Sequence, residues 1–162
     1  MTKKLTFCSL MAVFGILSLV LANILQSNTI FLYLLSTMFT YICVEEYGIK
    51  YGLLTYAIIT LAGLMLVANK VSIGAYAIMV GYYPVIKHMI EHFNINPNVK
   101  WIIKILFILM VSSFSFVLMK QIVTFDLPIG VVFTMGIVIF VIYDIVLTMG
   151  IKFYALRIRK LR

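Results

Sequence analysis

The stretch Leu5–Leu25, LTFCSLMAVFGILSLVLANIL, carries no charged residue from end to end. About 20 apolar residues in a helix cover the hydrocarbon core of a bilayer, so this run alone is long enough to cross one. The two lysines ahead of it, Lys3 and Lys4, give the N-terminus the look of a secretory signal. Its apolar run is longer than a signal's core, and no small-x-small cleavage site follows, so the segment reads as a first membrane span.

The rest of the chain agrees. Of 162 residues, 64% are hydrophobic and 11% charged, against about one-quarter charged in a soluble domain. Too little polar surface exists to cover a water-exposed globule. The 13 Lys and Arg outnumber the 5 Asp and Glu. In a membrane chain that excess sets orientation and attracts anionic lipid, and does not call for nucleic acid. Cys8 and Cys43 lie in apolar runs without a CxxC partner, which suits buried, reduced thiols.

Hydropathy divides the chain into six spans, at about 5–25, 29–44, 51–68, 71–90, 101–122 and 129–152, with a basic tail over 153–162. The expected fold is an all-α membrane protein, a six-helix bundle forming a single domain. With both termini inside, the inner side holds 11 of the Lys and Arg residues and the outer side only Lys70 and Lys120. The predicted orientation therefore puts both ends in the cytoplasm.

The fourth segment contains VGYYPVIKHMIEHF (Val80–Phe93). Pro84 removes a backbone donor and predicts a bend. Lys87 follows it, with Glu91 four residues on, and together with Lys104, Asp144, Glu45 and Glu46 they fall in the inner half of the bundle. Charges of opposite sign at one depth relieve each other's burial cost, so Asp144 is expected to pair with Lys87 or Lys104. The other lysine would then face Glu45 or Glu46. A structural clamp, a proton- or ion-coupling relay, and a switch facing a cytoplasmic partner all remain open for this cluster. His88, Glu91 and His92 resemble a zincin motif only in the two histidines, and no metal is expected there.

On the outer side, Asn23, Gln26, Asn28, Lys120 and Asp126 stand near the segment ends, with Tyr76 and Ser113 below them. A solute entering from outside would meet these residues. No nucleotide-binding loop or nucleophile motif is present, and no enzyme activity is expected. Small residues Cys8, Ala12, Gly15, Ser18 and Ala22 recur along the first span at helical spacing. They form a flat stripe for close packing, inside the bundle or against another membrane protein.

The layout resembles the substrate-binding S components of bacterial energy-coupling-factor transporters. The first helix KKLTFCSLMAVFGILSLVLA and the glycine pair around a basic link, Gly48-Ile49-Lys50-Tyr51-Gly52, carry the likeness. GYYPVIKHMIE and IYDIVLTMGIKFY are similar to bacterial membrane proteins grouped near that family. The resemblance implies six helices, cytoplasmic termini, uptake of a vitamin or similar micronutrient, and a separate ATPase module. It also implies that Cys8, Ala12 and Gly15 dock a transmembrane coupling subunit. An alternative from another class is a scaffold of the kind typified by the rod-shape inner-membrane protein MreD, which binds partners and no solute. A third, an ion-conducting oligomer, would need a continuous polar helix face, and none of the six segments has one.

Overall fold

The structure, a computed structural model, describes residues 2–25, 28–93, 96–120 and 129–158. Among these residues the chain is almost wholly helical and contains no strand. In order come α1 (Thr2–Ile24), α2 (Thr29–Tyr47), α3 (Ile49–Leu66), α4 (Lys70–Ala75), a π-helical turn (Tyr76–Gly81) and α5 (Tyr83–His92). Then follow α6 (Pro97–Lys120) and α7 (Ile129–Phe153), with a second π-helical turn over Tyr154–Ile158. Among the described residues, α1, α2, α3 and the Gly136–Leu156 stretch are long and apolar enough to cross a membrane. The expected tail thus begins as helix, while residues 159–162 lie outside the described part.

Two short links show how the sequence sets the turns. Gly48 has φ 89°, a conformation that costs glycine little and other residues much. Its N–H donates to the Val44 carbonyl at 2.8 Å, closing α2 as α3 begins. At the opposite end, Asn69 caps α4 by accepting from the Ser72 N–H at 3.2 Å. Lys70 bonds the Leu64 and Val67 carbonyls, the latter at 2.9 Å, which satisfies the free end of α3. The end of the molecule where α1 begins and α2 turns into α3 carries Lys3, Lys4 and Lys50, and is here termed the basic end.

Helices α1, α2 and α3 form a tightly packed block. Cys8, Ala12, Gly15, Ser18, Leu19 and Ala22 make the buried face of α1. A Cβ on Gly15 would run into the Ile59 side chain of α3 and stand 3.4 Å from Ser36 Oγ of α2. The stripe that the transporter resemblance assigns to a coupling subunit is therefore covered by the chain's own α2 and α3. Small side chains let these backbones approach closely, and that approach consumes the surface. Cys8 and Cys43 meet across α1 and α2, beside Thr55 of α3, as free thiols. Nothing in their sequence spacing signals that encounter.

Helix α2 is the axis of the bundle, touching α1, α3, α5, α7 and the π-helical turn. Two apolar cores share it out. Ala12, Leu19, Ile59, Val67, Ile73 and Tyr76 fill the first, toward the end opposite the basic one. Tyr41, Val44, Tyr83, Val85, Tyr143 and Leu147 fill the second.

The fourth segment departs from a single bent helix. Its break lies ahead of Pro84, over Tyr76–Gly81, and takes π-helical form. The cause is local. Pro84 has no N–H for the Val80 carbonyl one turn back. That carbonyl instead accepts from the Tyr143 hydroxyl at 3.2 Å, while Tyr56 donates to Ala77 O at 3.1 Å. Tyrosines from α7 and α3 thus satisfy the backbone that the break loosens, as an interruption at membrane depth requires. Gly81 makes room, since a Cβ there would stand 2.6 Å from the Tyr56 ring.

Gly52→Ala should destabilise the protein by about 1–3 kcal/mol, as overpacking does elsewhere. A Cβ at position 52 would overlap Val44, whose β-branched side chain and backbone cannot move aside. Gly74→Ala, where nothing lies within 4 Å, should leave the melting temperature in detergent unchanged or raise it.

Candidate functional site

A buried ion centre holds α5, α6 and α7 together. Lys87 is 0% exposed, and its ammonium is met on three sides. Asp144 Oδ1 stands at 2.6 Å, the Asp144 carbonyl at 2.7 Å and Thr148 Oγ1 at 2.6 Å. Three acceptors match the three protons an ammonium can give. Lys104 reaches Asp144 Oδ2 and Glu91 Oε1, each at 3.1 Å. Tyr83 donates to Asp144 Oδ1 at 2.5 Å, and Tyr41 to Glu91 Oε2 at 3.1 Å. Two ammonium groups face two carboxylates, so the centre is formally neutral, the condition under which charge is tolerated away from water.

Asp144 thus takes both lysines rather than one of them. The other carboxylate differs from expectation. Glu91, one turn beyond Lys87 on α5 and 3.7 Å from it, joins the centre. Glu45 instead contacts His88 Nδ1 at 3.2 Å, and Glu46 stands outside the set around Lys87 and Lys104. The reason is position. Glu91 shares a helix face with Lys87, whereas Glu45 and Glu46 close α2 beside the other face of α5, where His88 lies. His92 Nδ1 contacts the His88 carbonyl at 3.0 Å. Among the described residues no group of three or more His, Cys, Asp or Glu side chains is placed to hold a metal ion.

Next to this centre, toward the opposite end, lies a cavity of about 550 Å³. Helix α2, the end of α4, the π-helical turn, α6 and α7 line it. Aromatic rings from Tyr33, Tyr76, Phe107, Phe140 and Tyr143 share the wall with aliphatic side chains. Tyr83 separates cavity from ion centre: its ring packs on Phe140 at 4.5 Å and Tyr143 at 5.4 Å, while its hydroxyl holds Asp144. No family model matches the chain. No curated protein and no solved structure matches it either.

Of the residues expected to meet a solute, Tyr76 lines this cavity, fully buried and hydrogen-bonded to Ser36 at 3.1 Å. Asn23, Asn28 and Ser113 are not among the residues that line it. Asn23 is half-buried at the end of α1, and Asn28 is exposed before α2. Ser113 is exposed and donates to the Leu109 carbonyl at 2.7 Å. Lys120 ends α6, with its side chain outside the described part; Gln26 and Asp126 lie outside the described residues. Sequence reasoning missed Tyr33, Phe107, Phe140 and Tyr143 in the wall, and Tyr41, Tyr83 and Thr148 at the ion centre. Two of these had a signal in spacing: Tyr83 precedes Lys87 by four residues, and Thr148 follows Asp144 by four.

Asp144→Asn should destabilise the protein by about 3–5 kcal/mol, because it strands Lys87 without its close carboxylate. Adding Lys87→Met to that variant should recover part of the loss. Thermal melts of the two variants in one detergent measure the difference. A double variant less stable than Asp144→Asn alone would show that stranded charge is not what the single substitution costs.

Proposed function

We propose that this protein is a membrane-embedded binding subunit that holds a small solute within its helix bundle. The cavity carries this reading, since about 550 Å³ lies within the range of roughly 300–1,000 Å³ usual for small-molecule sites. Its position supports the same conclusion. The cavity abuts an interrupted helix, the feature around which many transporters build a mid-membrane site. A pure scaffold of the rod-shape type has no need of a cavity between its helices.

In this proposal the protein spans the bilayer six times, with α4, the π-helical turn and α5 together making the fourth crossing and α6 the fifth. The basic end faces the cytoplasm, as the distribution of Lys and Arg favours. The resemblance to S components of energy-coupling-factor transporters fits this arrangement, with uptake of a micronutrient as the task. Energy would come from a separate ATPase module, because the sequence offers no nucleotide-binding loop. A coupling subunit would have to contact a surface other than Cys8, Ala12 and Gly15, which α2 and α3 cover.

Native mass spectrometry of the protein in mild detergent should find a small molecule retained. Val111→Trp, which fills the cavity from its α6 wall, should abolish retention while leaving the melting temperature within a few degrees of the parent. Absence of any bound molecule, with cell-shape proteins co-purifying instead, would favour the scaffold. Separately, a reporter fused after Arg162 should be active only as a cytoplasmic fusion; an exterior signal would invert the proposed orientation.

A further inference from the structure

The chemistry of the cavity wall restricts what can bind there. Each tyrosine in the wall has its hydroxyl committed within the protein. Tyr33 donates to the Ser72 carbonyl at 3.2 Å, Tyr76 shares a hydrogen bond with Ser36 at 3.1 Å, and Tyr143 donates to the Val80 carbonyl at 3.2 Å. The remaining lining side chains are aliphatic or phenylalanine, alongside Gly136. What faces the space is therefore ring and hydrocarbon. A water-soluble ligand would surrender its hydration there without replacement, at a cost of roughly 1–3 kcal/mol for each polar group.

The mouth of the cavity points the same way. Helices α2 and α7 lie against each other toward the basic end, where a Cβ on Gly150 would stand 3.0 Å from Met38 Sδ. Farther along, at the level of the cavity, the lining residues Ile30 of α2 and Ile139 and Ile142 of α7 are 64%, 50% and 55% exposed. They are the exposed residues of the lining, the others being buried or half-buried, and so mark its rim. This rim lies along the sides of two membrane helices, where the surroundings are lipid.

We propose that the cavity takes a neutral lipophile directly from the bilayer, through a lateral opening between α2 and α7 rimmed by Ile30, Ile139 and Ile142. This rests on the cavity being the binding site, and it names the ligand class and the route. The aromatic walls suit an apolar body, held by ring faces and area burial. Phe107, Phe140 and Tyr143 close the inner side, and the Tyr83 ring packed behind them stands between the ligand and the Asp144 centre.

The test uses the full chain in phosphatidylcholine–phosphatidylglycerol vesicles and two photoreactive probes. One is a diazirine-bearing farnesyl ester dissolved in the bilayer, the other the same diazirine on a membrane-impermeant sulfonate in the buffer. Mass spectrometry of the cross-linked peptides should find the farnesyl probe on Tyr76, Phe107 and Tyr143. Unlabelled farnesyl ester should displace it. In the double variant Ile30→Trp and Ile142→Trp, whose side chains narrow the rim from exposed positions, that labelling should fall about tenfold with the melting temperature unchanged. Interior labelling by the sulfonate probe alone would overturn lateral entry while leaving a binding cavity in place. Interior labelling that neither saturates nor is displaced would mean bulk lipid, and would overturn the proposed ligand site. No interior labelling by either probe would overturn the inference and the cavity's binding role together.

Discussion

The carboxylate of Asp144 is the point on which the second half of the molecule converges. An ammonium such as that of Lys87, wholly shut away from solvent, has no stable place in a bilayer-sized helix bundle unless a counter-charge meets it. Asp144 meets it, and also Lys104 and the hydroxyl of Tyr83. Because these partners come from α5 and α6 while Asp144 stands on α7, their bonds fix how far each helix slides along its neighbours. Apolar packing between smooth hydrocarbon faces would leave that slide weakly determined, since lipid tails compete for the same surfaces. Charge pairing supplies the register that oil cannot.

The N-terminal half solves the same problem by other means. There the backbones of α1, α2 and α3 come close through glycine, alanine, serine and cysteine, and steric fit sets the register. Gly52 against Val44 and Gly15 against Ile59 leave no space for a side chain. Helix α2 belongs to both halves. It offers Ser36, Thr37 and Thr40 as small buried residues, and Tyr41 to reach the Glu91 carboxylate. The cavity lies where these two kinds of packing meet.

Much of this was legible in the sequence. Apolar runs and their breaks located α1, α2, α3 and α7 to within a few residues, because each is bounded by a charge or a turn former. The meeting of Asp144 with lysine followed from depth and the price of isolated charge. Other features were out of reach. Whether the small stripe on α1 faces its own chain or another depends on which helices lie beside it, and periodicity is silent on neighbours. Glu45 and Glu46 looked equivalent to Glu91 by depth; only rotation about the helix axis separates them. The cavity wall is drawn from aromatics on four elements, each indistinguishable by sequence from ordinary core.

The π-helical turn gives the fourth segment two inward faces. Ile73, before it, and Tyr76, at its start, are buried with α1 and α3; Tyr83 and Lys87, beyond it, turn to α6 and α7. Each residue of an α-helix advances the chain by about 100°. Deleting one residue between 76 and 81 would swing everything downstream by that angle, carrying Lys87 away from Asp144 toward hydrocarbon. A change of length in that turn is therefore felt along the whole of α5, so the segment counts residues where a loop would merely bridge distance.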